Sequence, residues 1–146
     1  MKIFRLNKNI NDQVSEALED AEEFIRIAVF QLHSEIIFNI LNKKLKNGIS
    51  VEIFTLPYDS INDDARSRVM QMFKKIENNG AKLYFCKWNV GDPERTTTAI
   101  GRWYLFHAKF ILTDKKAIAL SANLIESQEL DALMIYDDED KINEYN

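Results

Sequence analysis

The feature that most constrains the fold is a nearly continuous apolar run, Phe-Ile-Arg-Ile-Ala-Val-Phe, at residues 24–30. Only Arg26 interrupts it. A strand that is apolar on both of its faces is typical of a parallel sheet, because helices cover both sides of such a sheet. The run therefore predicts a central strand that is covered on both faces within an α/β domain.

Helical periodicity flanks this run on both sides. Apolar residues recur at helical spacing over residues 10–21, and Asn11 is the candidate N-cap of this first helix. Ser34 can cap a second helix, and Gly48 would end that helix as the glycine that follows its C-cap. The other predicted elements are a third helix at residues 65–76, closed by Asn79-Gly80, and strands at residues 49–53, 83–86, 103–113, 117–121 and 131–136.

This order of elements predicts one α/β domain over residues 1–146, either complete in itself or the N-terminal part of a longer protein. Its central sheet is expected to be mixed and mostly parallel, with helices on both faces. Residues 114–116 would form the turn of an antiparallel hairpin. Residues 89–101 are rich in Gly, Pro, Asp and Thr, and a loop of this length favours a functional role.

Cysteine usage and hydropathy indicate the compartment. Cys86 is the one cysteine of the chain, so no disulfide can form within it, and a reducing environment suits it. The N-terminal residues lack the apolar segment of a signal peptide, and no run approaches the length of a membrane span. We therefore expect a cytoplasmic protein without membrane insertion.

Positive charge is concentrated in one part of the chain. Residues 81–118 carry seven Lys and Arg against three Asp and Glu, although the net charge of the whole chain is −4. The negative total argues against a protein that coats DNA, whereas a local basic excess suits contact with phosphate. Lys87 and Arg102 are the candidate substrate contacts, and Lys115 and Lys116 are expected to be solvated residues of the hairpin turn.

His107 and Lys109 lie inside this basic segment and are separated by one residue. Side chains alternate along a strand, so the two residues share one face and stand roughly 6–7 Å apart. An imidazole and an ammonium group so placed can attack and hold one anion. The chain's other histidine, His33, precedes the second helix and is expected to be a loop or capping residue.

Five residues of this region form a recognisable pattern. His107, Lys109 and Asp114 resemble the H-x-K-x4-D signature of the phospholipase D superfamily, and Ser121 and Asn123 resemble its G-S-x-N signature. Leucine stands at position 120 in place of the glycine. The order of elements also resembles a phospholipase D-like domain over roughly residues 10 to 140, in which a helix usually follows the last strand.

The resemblance implies a metal-independent phosphodiesterase that works through a phosphohistidine. Chains with one motif in this superfamily act as homodimers, so His107 of one subunit would be the nucleophile and His107 of the other the general acid. Lys109 and Asn123 of both subunits would hold the phosphoryl oxygens, and Ser121 would assist in binding. No cofactor or metal is implied.

Two further carboxylates have expected roles under this resemblance. Asp131 aligns with the family's glutamate, which orients the catalytic histidine, while Glu126 and Glu129 are the other candidates. Asp114 is expected to be structural and to cap the hairpin turn through its side chain.

Three functions remain open from the sequence. The first is a nuclease that acts on DNA or RNA, since small single-motif members of the superfamily are mostly nucleases. The second is a catalytically inactive module that binds nucleic acid. The third is a hydrolase of phospholipids or other phosphodiesters, which the lack of an amphipathic membrane helix disfavours.

Overall fold

The protein was studied as a computed structural model that describes residues 2–5, 10–29, 31–55, 63–85, 109–120, 124–125 and 132–136. Helices are interspersed with strands up to residue 85, and the described elements after that residue are all strands. The helices are α1 (Ile10–Asp20), α2 (Glu35–Lys46) and α3 (Asp63–Asn78). The strands are β1 (Lys2–Arg5), β2 (Phe24–Ala28), β3 (Leu32–His33), β4 (Ser50–Thr55), β5 (Lys82–Phe85), β6 (Phe110–Thr113), β7 (Ala117–Leu120), β8 (Leu124–Ile125) and β9 (Ala132–Tyr136).

Seven of the described strands form one mixed sheet in the order β1-β9-β7-β6-β2-β4-β5. The strands β2, β4 and β5 are parallel neighbours. The strands β6 and β9 run against their neighbours, so five strands point in one direction and two in the other. The predicted mixed, mostly parallel sheet is confirmed. The strands β3 and β8 pair in parallel as a separate two-stranded sheet.

The three described helices form a layer in which α2 packs between α1 and α3. The connections β2-α2-β4 and β4-α3-β5 step the same way across the sheet, so right-handed crossovers place both helices on one face. The main core lies between this layer and the sheet, and Phe38 and Phe73 meet there edge to face at 5.0 Å. Burial of such side chains contributes on the order of 1.5–3 kcal/mol each.

The opposite face of the sheet carries a smaller cluster around Leu112, Ala117 and Phe24. Arg26 also lies on this face, 3.9 Å from the carboxylate of Glu52 and above the Phe24 ring. The expected helix after the last strand lies outside the described residues, so helices on both faces stay a prediction.

The ends of α2 follow their sequence signals. The hydroxyl of Ser34, which is fully buried, accepts the N–H of Ile37 at 3.4 Å and caps the helix. Gly48 follows the C-cap Asn47 with a φ of +83°, a left-handed conformation that favours glycine. Gly80 has a φ of +105° after α3. Both glycine stops are confirmed.

Two local expectations are wrong. The helix α1 begins at Ile10, so Asn11 lies inside it and is not its N-cap. His33 lies in the short strand β3 and pairs with Ile125, so it is neither a loop residue nor the cap of α2. The pairing that puts His33 in a strand is with a segment about ninety residues later in the chain, which the local sequence does not show.

Candidate active site

The start of β6 marks the candidate site. Because β6 runs antiparallel to β2, its first residue lies beside the carboxyl ends of the parallel strands, with Phe110 opposite Ala28. Ligands of open α/β sheets bind outside this edge. The hairpin ladder extends one residue further, since the carbonyl of Lys109 accepts the N–H of Leu120 at 2.8 Å. The backbone of Lys109 is therefore held at the edge where ligands bind.

The face on which Lys109 lies follows from its neighbours. Ile111, two residues later, is fully buried in the main core. Strand alternation places Lys109 on the same side of the sheet, beyond the end of that core, and its side chain is half-buried. Leu120, which stands where the family has glycine, is 8 % exposed and packs in the main core. The leucine is thus accommodated as an ordinary core residue at the end of β7.

Apart from Asp114, the other predicted site residues lie outside the described residues, as does the predicted loop at residues 89–101. The strand β8 begins one residue after Asn123, and β9 begins one residue after Asp131. Elements of known placement therefore follow both positions directly. The site residues outside the described ranges are His107, Asn123, Asp131, Ser121, Arg102 and Lys87.

Asp114 lies at the other end of β6, which spans four residues or roughly 13 Å. Its carboxylate accepts backbone N–H groups from Glu22 at 3.0 Å, Glu23 at 3.1 Å and Phe24 at 3.5 Å. These residues lead into β2. The carboxylate therefore connects the hairpin to the start of the central strand. This connection lies at the amino ends of the parallel strands, whereas Lys109 lies beside their carboxyl ends.

The hairpin turn itself is capped by a different side chain. The hydroxyl oxygen of Thr113, which is fully buried, accepts the N–H of Lys115 at 3.1 Å and that of Lys116 at 2.9 Å. The expectation that Asp114 caps this turn is therefore wrong. The Thr113 hydroxyl is a group that caps turns of this kind. The Asp114 carboxylate instead binds backbone N–H groups at the start of the neighbouring strand.

Ion pairs surround these hydrogen bonds of Asp114. Lys116 pairs with Asp20 at 2.8 Å, and Lys115 pairs with Glu22. The hydrogen bond from Lys116 lowers the pKa of Asp20, and the one to Glu22 raises the pKa of Lys115. Both lysines are in the turn, as the sequence predicts. Because both lysines form ion pairs at the opposite end of β6, they do not add to a phosphate-binding surface at Lys109.

The pKa of Asp114 is lowered. Partial desolvation raises it, but the N–H groups of Glu23, Glu22 and Phe24 together outweigh that effect by stabilising the carboxylate. A folded-state pKa below the unfolded value means that the charged form contributes stability. This contribution is fully present above the unfolded pKa and is lost as the pH falls through the lower folded value.

Asp114→Ala should therefore lower the free energy of unfolding by about 1–3 kcal/mol at neutral pH, because three N–H groups lose their acceptor. The deficit relative to the wild type should stay constant from pH 7 to about 5 and narrow below about pH 4, as the wild-type carboxylate protonates. Urea denaturation at several pH values measures it. Asp20→Asn is the matched control, because its exposed pair should contribute less than about 1 kcal/mol. An equal loss of unfolding free energy in both variants would contradict the stabilising role of the Asp114 hydrogen bonds.

Two kinds of feature are absent from the described part of the chain. It contains no group of three or more His, Cys, Asp and Glu side chains that could hold a metal ion. None of its helices is both long enough and apolar enough to cross a bilayer.

The sequence and fold were compared with known proteins. The family model for the cardiolipin synthase, PLD-like domain matches residues 14–146. Nuc from Salmonella typhimurium, a phospholipase D family member, is 17% identical with a TM-score of 0.73, and the match covers 99% of this chain and 87% of Nuc. NucT from Helicobacter pylori is 20% identical with a TM-score of 0.73, over 99% of this chain and 89% of NucT.

A more distant likeness reaches an archaeal chromatin protein, TrmBL2, whose structure shows a mode of DNA binding. It is 15% identical with a TM-score of 0.61, and the match covers 99% of this chain and 51% of TrmBL2. No curated protein matched. At these identities the likenesses to solved structures establish the fold.

Proposed function

Because the chain belongs to the phospholipase D-like domain family, a superfamily of phosphodiesterases, we propose that it is a metal-independent nuclease that cleaves DNA or RNA. One observation carries the proposal. Lys109 is held at the carboxyl edge of the parallel strands, while Asp114 is engaged at the opposite edge. The spacing of the H-x-K-x4-D motif thus separates a residue at the ligand-binding edge from a structural one.

His107 is the proposed nucleophile. If the strand continued backwards from β6 through residue 107, the two-residue period would put the imidazole on the face of Lys109. Its neutral imidazole attacks phosphorus and forms a nitrogen–phosphorus bond, while the bond to the leaving oxygen breaks and that oxygen takes a proton from a second imidazole. Water then cleaves the phosphohistidine, with the second imidazole as base.

The second imidazole comes from a second copy of the chain in this proposal. A homodimer would bring two copies of His107 to one phosphate across a two-fold axis. Two copies of Lys109 and Asn123 would surround the non-bridging oxygens and neutralise the charge that builds in the transition state. Asp131 would hold the far nitrogen of His107 and fix its tautomer.

Nucleic acid is the proposed substrate because of the charge around the motif. Residues 83–113, which leave out the lysines of the hairpin turn, carry four Lys and Arg against two Asp and Glu, and this basic excess suits a polyanion. Lys87, Arg102 and Ser121 would contact phosphates beside the one that is cleaved. The fold that this chain shares with Nuc and NucT over nearly its whole length supports a phosphodiesterase of the same kind.

A module that binds nucleic acid without cleaving it is the second candidate. The likeness to TrmBL2, a chromatin protein that binds DNA, favours it. In such a module Lys109 and Asn123 would still hold phosphate, but His107 would not turn over. The two candidate functions therefore predict the same binding of nucleic acid and differ in whether the nucleic acid is cleaved.

Nuclease activity is expected to survive EDTA, because imidazole, ammonium and amide groups supply all of the proposed chemistry. Fluorescently labelled single-stranded DNA, double-stranded DNA and RNA, each incubated with the purified protein in EDTA, measure this on denaturing gels. A magnesium-dependent nuclease in the same buffer serves as the control for complete chelation. Loss of cleavage in EDTA with recovery in magnesium would contradict the mechanism. Salt-sensitive binding of the same strands without cleavage would favour the binding module.

A further inference from the structure

A cleft of about 230 Å³ opens to solvent between α2 and α3. Its lining residues lie within Glu35–Asn42 of α2 and Arg68–Lys75 of α3 and recur on each helix at intervals of three and four. The two helices run in the same direction, since each connects two parallel strands. Each set of residues covers two turns, or roughly 10 Å along its helix. A cleft of this length suits a small molecule better than a helical peptide, which needs anchors along a longer groove.

Asn42 supplies a buried polar group to this cleft. The residue is 6 % exposed, and its side-chain oxygen accepts an N–H of Asn79 at 2.8 Å. Its own amide nitrogen has two N–H donors, and neither has an acceptor among the described residues. This nitrogen is not closed to solvent, because in the described part of the chain the closed polar atoms without a partner belong to Ser15, His33 and Arg66. A buried donor that opens onto a cleft can bind an acceptor atom of a ligand.

Positive charge lies at the same end of the cleft as Asn42. Lys75 precedes Asn79, the partner of Asn42, by about one helical turn and lies on the same side of α3. Within the described structure no ion pair involves Lys75. Glu35 and Arg68 line the other end of the cleft, and both have other contacts. An anionic group is therefore favoured at the Lys75 end, where no described lining residue carries a carboxylate.

The middle of the cleft combines an apolar floor with amide groups. Phe38 is buried in the main core, and Met72 is half-buried and packs against the same core. Asn39 and Gln71 are exposed beside them. A planar ring can lie on such a floor while the amides, which offer both donors and acceptors, bind its polar edge. Nucleobases have this combination of flat faces and mixed polar edges.

We propose that this cleft is a binding site for a nucleoside monophosphate. The phosphate accepts hydrogen bonds from Lys75 and Asn42, and these charge-assisted bonds are the strongest contacts of the site. The base lies over Met72, with its polar edge at Asn39 and Gln71.

The cleft is separate from the candidate active site. Both helices begin at the carboxyl ends of parallel strands, the edge of the sheet at which Lys109 lies. Lys75 is in the last turn of α3, which returns towards the amino ends of those strands. The inference therefore goes beyond the proposed function and does not depend on nuclease activity.

Calorimetric titration of the full chain with 5′-AMP tests the site. The wild type should bind one AMP with a Kd below about 1 mM, and Lys75→Gln should raise this Kd at least about tenfold. Lys74→Gln is the matched control, because Lys74 is an exposed neighbour that does not line the cleft, and its Kd should stay within about twofold of the wild type. Asn42→Asp keeps the acceptor for Asn79 but replaces the donors by a negative charge, so it should abolish measurable binding. If Asn42→Asp does not fold, the two lysine variants decide alone.

Three further titrations identify the ligand and the site. Adenosine and inorganic phosphate should each bind at least about tenfold more weakly than AMP, because each lacks part of the contacts. Lys109→Ala should bind AMP as the wild type does, since it changes only the candidate active site. Absence of saturable AMP binding, equal binding of phosphate alone, or equal weakening by both lysine variants of α3 would overturn the inference. Loss of binding in Lys109→Ala with retention in Lys75→Gln would place the nucleotide at the candidate active site and would also overturn it.

Discussion

Replacing His107 by alanine is expected to reduce phosphodiester turnover at least about a thousandfold, because the attacking atom is removed. Binding of a labelled oligonucleotide should change little, since Lys109 and Asn123 remain. Initial rates in EDTA measure the first effect and fluorescence anisotropy the second, with far-UV circular dichroism to show that the fold is kept. Turnover within a few fold of the wild type would mean that another residue is the nucleophile.

Mixtures of the two proteins give a sharper version of this test. If each site needs His107 from both subunits, a dimer with one altered copy is inactive. Activity should then fall with the square of the wild-type fraction once subunits have exchanged. A linear fall would show that each chain carries an independent site. Sedimentation of the unmixed protein supplies the control, because a strict monomer would exclude the shared site.

Replacing Lys109 by alanine is expected to lower kcat/KM about a hundredfold, which corresponds to about 3 kcal/mol of transition-state stabilisation. The ammonium group neutralises a phosphoryl oxygen whose charge grows in the transition state. Lys109→Arg should recover part of the loss, because it keeps the charge but not the position. Steady-state rates at low substrate concentration measure all three proteins.

Lys115→Ala is the matched control for this variant. It removes the same charge from the same hairpin, but at the edge where Lys115 pairs with Glu22. Its rate should equal that of the wild type, and its exposed ion pair should cost less than about 1 kcal/mol of stability. If both lysine variants lost the same activity, the effect would be one of overall charge rather than of a site at the start of β6.

Sequence predicted those parts of the fold whose signals are local. The Ser34 cap and the helix ends at Gly48 and Gly80 could be predicted because each depends on backbone geometry within a few residues. The alternation of β2, β4 and β5 with helices could be predicted because the spacing of apolar residues shows which side of each element is buried. Of the candidate site, the sequence predicted Lys109 within a strand over residues 103–113, and the structure places its backbone directly before β6, where it still pairs with Leu120.

What sequence missed depends on distant partners. The strands β1 and β3 are four and two residues long, too short to show a period, and each pairs with a strand about a hundred residues away or more. The turn cap was assigned to Asp114 instead of Thr113 for a similar reason. Both side chains can cap a turn, and only the approach of Glu22, Glu23 and Phe24 shows which one is used elsewhere.

The pairing of β1 with β9 sets the order in which the chain can be completed during synthesis. The first strand lies at the edge of the sheet, and among the described strands its one neighbour is β9, with Lys2 opposite Ile135. A ribosome would release residues 24–85, with their parallel strands and crossover helices, long before that partner exists. The pairing of the N-terminal strand therefore cannot form until β9 has emerged, and until then water satisfies the backbone groups that β9 later binds. Its docking closes the longest loop in the described fold, so among the described strand pairings it carries the largest loop-closure entropy.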